Sequence, residues 1–188
     1  RIKQKEDYRE LSIKAYNREP DGFVLTRAIA AYERTLISGN SDYDKLVNGE
    51  STALTHSQKR GKDLFFGSKT NCSSCHGGFN FTNYEYENIG LYSNYSDSGR
   101  MRITLNEQDR GKFMVPTLRN IELTAPYMHD GSISTLRGVI DFFNQGGHLN
   151  ANKSNLVQKL NLTEQEKKDL ENFLLSLTDN EFITKNTK

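Results

Sequence analysis

The two cysteines of this 188-residue chain lie in one pentapeptide, Cys72-Ser73-Ser74-Cys75-His76. Cys-x-x-Cys-His is the attachment signature of a c-type haem. Two thiols at this spacing can each form a thioether to a vinyl group on the same edge of one porphyrin. The next residue then lies under the ring, where its imidazole can bind the iron as the proximal ligand. The sequence therefore predicts one covalent haem c, attached at Cys72 and Cys75 and ligated by His76.

Three other interpretations of the cysteine pair are weaker. A thioredoxin-like redox pair does not need the histidine and usually lies in a βαβ pattern, which the sequence lacks. A structural zinc site needs about four ligands, and the other histidines, His56, His129 and His148, have no close metal-ligand spacing. A plain Cys72–Cys75 disulfide would leave His76 without a role.

Composition excludes several classes of function. The 25 basic and 24 acidic residues give a net charge of +1, so there is no electrostatic case for nucleic acid or a membrane surface. No apolar run approaches the roughly 20 residues that a membrane span requires. Only 35% of residues are apolar, which is lean for a core, and a buried haem would supply much of the missing apolar volume. Because haem is attached to cysteines outside the bacterial inner membrane, the motif predicts a periplasmic protein.

The elements that must position the motif follow from periodicity and capping. Helical spacing of apolar residues predicts helices over 3–16, 23–37, 57–66, 116–123 and 134–144, and after Thr163. Thr55 to Gln58 and Thr163 to Glu166 are capping boxes. Gly61 would let the last helix approach the helix that leads into the haem motif. Residues 77–111 lack periodicity and predict a long loop, with a short hairpin near 101–105, of the kind that a ligand often orders.

Four segments of the chain resemble the bacterial di-haem cytochrome c peroxidase family, which includes MauG-type maturation enzymes. They are Ala30-Ala31-Tyr32-Glu33-Arg34-Thr35-Leu36-Ile37-Ser38, the haem motif, Val115-Pro116-Thr117-Leu118-Arg119-Asn120-Ile121 and Thr124-Ala125-Pro126-Tyr127-Met128-His129-Asp130-Gly131-Ser132. Members of this family carry two haem domains, and the chain resembles the C-terminal half, which holds the electron-entry haem. The resemblance implies a class I cytochrome c-like fold, mainly α, with an N-terminal helical arm (1–50), a c-type cytochrome domain (51–188) and long irregular loops.

The resemblance also implies roles for residues outside the haem motif. Arg119 and His129 correspond to family residues near the haem propionates; the alternatives are a surface arginine and a turn histidine bonded only to backbone. Carbonyls of Thr124 and Pro126 correspond to ligands of an inter-domain calcium. The family position of the sixth iron ligand falls on Phe143, which cannot bind iron. The site is then five-coordinate, or Met128, Met114 or His148 substitutes. Four aromatic residues are expected to wall the pocket: Phe79, Phe81, Tyr127 and Phe143.

The family function implied is relay of electrons from a small cytochrome or cupredoxin to a peroxidatic haem that reduces hydrogen peroxide. The expected partners are therefore a second haem domain and that donor protein, and a homodimer is left open. Two alternatives remain: a free-standing mono-haem electron-transfer cytochrome, and a MauG-like oxidase acting on a protein. The second normally needs a Tyr ligand where Phe143 stands.

Overall fold

The computed structural model describes residues 1–186, which form two compact units, Arg1–Ser38 and the chain from Gly39 onward. The described elements are eight α-helices, four short 3-10 helices and two short strands. The helices are α1 (Glu6–Tyr16), α2 (Gly22–Glu33), α3 (Asp42–Val47), α4 (His56–Phe66), α5 (Met101–Thr104), α6 (Leu136–Gln145), α7 (Glu164–Leu175) and α8 (Asn180–Asn186). The strands are β1 (Tyr86–Glu87) and β2 (Phe113–Met114), and the 3-10 helices are Ile2–Gln4, Cys72–Ser74, Glu107–Asp109 and Ile121–Leu123. The predicted mainly α, cytochrome c-like fold is confirmed.

The first unit consists of α1 and α2. Asp21 caps α2 by accepting a hydrogen bond from the backbone N–H of Val24 at 2.9 Å. The helix ends at Glu33, earlier than the predicted end at residue 37. The hydroxyl of Thr35 donates to the carbonyl of Tyr32, and this local bond competes with continued helix.

The second unit is built around the crossing of α4 and α7. Both predicted capping boxes are present, Thr55 with Gln58 and Thr163 with Glu166. A Cβ on Gly61 would lie 1.9 Å from the carbonyl oxygen of Asp169, so the two backbones touch where a side chain is absent. The contact buries one apolar core, which α6 completes; its members are Phe65, Phe81, Tyr127, Leu136, Ile140, Leu162, Leu170, Phe173, Leu174 and Leu177.

The long segment 77–113 is ordered by hydrogen bonds to its own backbone and by strand pairing. Tyr86 pairs with Met114 in an antiparallel ladder of β1 and β2. The predicted hairpin at 101–105 is wrong, because that segment forms α5. Asn88, 1% exposed, donates to the carbonyl of Arg110 at 3.1 Å and accepts from the N–H of Gly90 at 2.9 Å. The buried Asn88 side chain thereby satisfies backbone groups in a segment that has little helix or strand.

The predicted helix 116–123 is also wrong in its first half. Only Ile121–Leu123 is helical, as a 3-10 turn. Before it, the hydroxyl of Thr117 donates to the carbonyl of Asn80 at 2.6 Å, and that of Thr82 donates to the carbonyl of Val115 at 2.6 Å. These bonds hold 115–119 against the loop that follows the haem motif.

The second unit begins at Gly39 and includes α3. The functional partition into 1–50 and 51–188 stays a prediction. Across residues 1–186, none of the helices has the length and apolar character needed to cross a membrane.

We predict that Gly61→Ala destabilises the protein by about 3 kcal/mol or more, because the added methyl overpacks the α4–α7 contact. The carbonyl of Asp169 would have to move, and it belongs to helix backbone. Chemical denaturation measures the change. Gly22→Ala is the control, because a Cβ there meets no atom within 4 Å. Equal stability of the two variants would contradict the predicted contact.

Candidate functional site

The Cys-x-x-Cys-His segment follows α4 directly and forms a tight turn. Residues Cys72–Ser74 are a 3-10 turn, and the backbone N–H of His76 donates to the carbonyl of Cys72 at 2.9 Å. The turn puts both thiols and the imidazole on the wall of one cavity. The cysteines are not joined in a disulfide. Burial raises the pKa of both thiols, most of all through desolvation.

The imidazole of His76 is oriented by the backbone. Its Nδ1 lies 3.0 Å from the carbonyl oxygen of Phe81. A carbonyl only accepts, so Nδ1 carries the proton and Nε2 keeps its lone pair. Burial lowers the pKa of His76, which favours this neutral form. Metal-binding histidines are usually neutral, and the ring nitrogen that does not bind the metal usually donates its proton to a backbone carbonyl or another acceptor.

The cavity beside His76 has a volume of about 560 Å³, within the roughly 300–1,000 Å³ typical of cofactor sites. Its wall is mainly apolar and comes from the core helices and the loops; representative members are Phe65, Val115, Leu136, Ile140 and Leu174. A porphyrin needs such an apolar slot with two thiols on one edge and an imidazole on its face. The residues present therefore fit a covalent haem.

The expected aromatic wall is half right. Tyr127 and Phe143 line the cavity. Phe79 is 56% exposed, and Phe81 is buried in the core among aromatic rings, so neither lies on the cavity wall. Phe81 instead contributes its carbonyl to His76, with its backbone in the left-handed region at φ 51°. Such a conformation costs a bulky residue about 1–3 kcal/mol and persists only where the surroundings enforce it.

Arg119 is buried, which rules out the alternative of a surface arginine. Its Nη1 and Nη2 donate to the two carboxylate oxygens of Asp44 at 2.8 and 2.9 Å, and its Nε donates to the carbonyl of Phe79 at 2.8 Å. The bidentate partner of the guanidinium is thus the Asp44 carboxylate. Arg119 also lies on the cavity wall, and its contact with a propionate stays a prediction.

Asp44 is the residue that sequence reasoning missed. Burial acts to raise its pKa, but hydrogen bonds from Arg119 and Ser41 outweigh that effect and lower the pKa. Ser41 and Asp44 form a capping box on α3. The Ser-x-x-acid spacing of Ser41 and Asp44 was the signal that could have found it.

The candidates for the sixth iron ligand separate in space. Met128 and Met114 both line the cavity, whereas His148 lies outside its wall. Met128 has φ 74°, a left-handed conformation that the turn before Gly131 imposes. His129 also lines the cavity, and its ring stacks on Phe113 with centroids 3.8 Å apart.

Thr124 and Pro126 flank Ala125, and the Ala125–Pro126 peptide bond is cis. Both residues lie on the cavity wall. Within the part of the chain that the structure describes, no group of three or more His, Cys, Asp or Glu side chains could hold a metal ion. A calcium ion takes about six to eight oxygen ligands, so two carbonyls would supply only a fraction of a calcium site.

Comparison with protein families finds two matches along the chain. Residues 1–52 match the model of the di-haem cytochrome c peroxidases, and residues 58–178 match the cytochrome c model. Fold, motif and cavity define a c-type cytochrome domain, and the cofactor implied is covalent haem c. The chain belongs to the di-haem cytochrome c peroxidase and MauG family.

Individual relatives agree with this assignment. The cytochrome-c peroxidase IdrP1 of Pseudomonas sp. (strain SCT) is 36% identical over 187 residues, which cover 82% of this chain and 49% of the relative. MauG of Methylophilus methylotrophus is 34% identical over 184 residues, covering 94% of this chain and 53% of the relative. The chain thus spans about half the length of these relatives.

A solved structure supports the same fold. A MauG-like protein associated with microbial copper homeostasis superposes with a TM-score of 0.86 at 37% identity, covering 97% of this chain and 61% of that one. The diheme peroxidase BthA from Burkholderia thailandensis shares the fold, with 24% identity and a TM-score of 0.63. The superposition covers 76% of this chain and 47% of the BthA chain.

Proposed function

We propose that this chain is the electron-transfer haem domain of a periplasmic di-haem cytochrome c peroxidase. The observation that carries the proposal is the His76 imidazole on the wall of an apolar cavity beside two free thiols, with its Nδ1 bonded to the Phe81 carbonyl. Haem iron supplies a one-electron couple whose potential depends on its axial ligands and burial. Thioethers from Cys72 and Cys75 would attach the ring, and His76 would hold the iron at Nε2.

Electrons would come from a small cytochrome or cupredoxin and leave toward a peroxidatic haem in a second domain. The chain contains one Cys-x-x-Cys-His motif and two cysteines in all, so it can attach one haem c by this chemistry. The peroxidatic haem then belongs to the second domain, carried on the same polypeptide or on another.

The first unit has an apolar surface suited to that second domain. Two large apolar side chains of α2, Ile29 and Tyr32, are 56% and 63% exposed, and we call them the α2 face. Residues three apart are neighbours on a helix surface, and exposed apolar side chains that adjoin in this way are typical of an interaction site. The second haem domain is the favoured occupant, because residues 1–52 match the di-haem peroxidase model and the relatives are about twice as long.

The remaining site roles are proposals of the same kind. Arg119 and His129 lie where they could contact haem propionates, Arg119 with the N–H bonds that Asp44 and Phe79 leave free. Carbonyls of Thr124 and Pro126 would contribute to a calcium site that the second domain completes. A homodimer would be compatible with this arrangement.

A MauG-like oxidase is a second candidate function, favoured by the 37% identity to a MauG-like protein. The phenyl ring of Phe143 lies on the cavity wall but offers no ligand atom, whereas this function normally uses a tyrosine there. Peroxide-dependent oxidation of a protein substrate, in which that substrate and not a donor cytochrome supplies the two electrons that reduce hydrogen peroxide to water, would favour the oxidase.

The haem-loaded chain should contain one haem by haemochrome assay and show only background peroxide turnover. Turnover should appear when a second haem domain is supplied together with a reduced donor cytochrome, because peroxide would be reduced at that second haem. The measurement is donor oxidation on addition of hydrogen peroxide. Full peroxidase activity of the isolated one-haem chain would refute the relay role.

Met128 is our choice for the sixth ligand, because it lies on the cavity wall in the turn that carries His129. Met128→Ala should convert low-spin ferric haem to high-spin and lower the midpoint potential by on the order of 0.1 V, within the about 0.8 V that axial ligands span. EPR and potentiometry measure both changes. Met114→Ala is the control, and a spin change confined to that variant would assign the ligand to Met114 instead.

Charged substitutions on the α2 face should weaken docking of the second haem domain. Ile29→Asp should cost about 2 kcal/mol of lost apolar burial, or roughly thirtyfold in affinity, and Tyr32→Asp a similar amount. Binding of the two separately purified domains can be followed by calorimetry. Ile103→Asp is the control, since Ile103 is 80% exposed on α5 of the other unit. Equal weakening by all three variants would argue against this face.

A further inference from the structure

Asp44 makes contacts that a helix cap alone does not need. Its carboxylate accepts hydrogen bonds from the backbone N–H and hydroxyl of Ser41 at 2.9 and 2.6 Å. The same carboxylate binds the Arg119 guanidinium in bidentate fashion, and the two side chains are 10% and 5% exposed. A planar guanidinium held at two points in a buried site has little freedom to rotate.

The guanidinium passes this constraint to the loop after the haem motif. Its Nε donates to the carbonyl of Phe79 at 2.8 Å, and its carbon lies 4.1 Å from the centroid of the Phe79 ring. Tyr43, the neighbour of Asp44 on α3, packs edge-on against Phe81 with centroids 5.2 Å apart. Two residues of α3 therefore hold this loop: Asp44 holds Phe79 through Arg119, and Tyr43 packs directly against Phe81.

The loop 79–82 contains the carbonyl that orients the proximal histidine. Phe81 accepts the Nδ1 proton of His76 while its own backbone is held at φ 51°. Residues 79–82 are fixed by three bonds to 115–119: Arg119 to Phe79, Thr117 to Asn80, and Thr82 to Val115. Of these, the bond from Arg119 is the one backed by a buried charge.

We propose that Asp44 is a positioning residue for the proximal ligand: through Arg119 and the 79–82 loop it fixes the Phe81 carbonyl against His76. The strength of the Nδ1–H bond sets how strongly a histidine donates to its metal. An aspartate that lies 32 positions before His76 thereby tunes the haem iron. The role concerns haem ligation alone and holds whether or not the chain serves a peroxidase.

The test uses the haem-loaded protein and three variants. Asp44→Asn removes the charge and one acceptor oxygen, and Arg119→Lys keeps the charge but removes the planar fork. Asp169→Asn is the matched control: Asp169 is also buried and also bidentate, to Arg60, but it lies on the α4–α7 contact. Solvent exchange of the His76 Nδ1 proton is followed by NMR in the ferrous carbon monoxide adduct, which is diamagnetic, and the midpoint potential of the protein without carbon monoxide is measured beside it.

Proton exchange at Nδ1 should be at least tenfold faster in Asp44→Asn and in Arg119→Lys, and unchanged in Asp169→Asn. A weaker Nδ1–H bond makes the imidazole a poorer donor, so the potential should rise in both Asp44→Asn and Arg119→Lys. Because Arg119→Lys conserves charge, a rise in that variant is not a simple charge effect. Wild-type exchange rates in folded Asp44→Asn and Arg119→Lys would overturn the proposal, as would equal acceleration in Asp169→Asn. If Asp44→Asn does not fold, Arg119→Lys alone decides.

Discussion

The close backbone contact between α4 and α7 at Gly61 is the constraint on which the rest of the second unit depends. Gly61 lets the α4 backbone reach the carbonyl of Asp169, and Ser57 and Arg60 on the same helix bind the Asp169 carboxylate. The close backbone approach at Gly61, which does not require the Asp169 carboxylate charge, fixes the helix that leads into the haem motif. The motif turn starts only a few residues after α4 ends, so its position relative to the core follows from this crossing.

In the loops around the cavity, polar side chains form hydrogen bonds to backbone carbonyls that helices and strands would otherwise satisfy. The loops around the cavity contain little helix or strand, and yet Asn88, Thr82, Thr117 and Arg119 each bind a backbone carbonyl across the gap between two loops. Buried polar groups are tolerable where their hydrogen bonds are made. The cost of a left-handed Phe81 is offset within the same network. The cavity wall is therefore rigid on the side of His76, which suits a site that must hold one imidazole orientation.

The two units differ in how they bury apolar surface. The second unit encloses a core and a cofactor-sized cavity. In the first, Val24 is the large apolar side chain of α2 that is buried, while Phe23, Ile29 and Tyr32 of the same helix remain exposed. A helix with this composition gains stability mainly by packing its apolar surface. The cytochrome c model matches residues 58–178, which lie within the second unit.

By itself the sequence determined the cofactor, the helix starts and the helix contact. The haem motif, the two capping boxes and Gly61 are local patterns whose physical meaning does not depend on the rest of the chain. The conformation of 79–82 and 115–119, the exclusion of Phe79 and Phe81 from the cavity wall and the pairing of Arg119 with Asp44 were decided only by the tertiary structure. Each depends on carbonyls and carboxylates brought together from distant positions. The periodicity of apolar residues cannot predict such bonds, because they join loops in which apolar residues do not recur at a regular spacing.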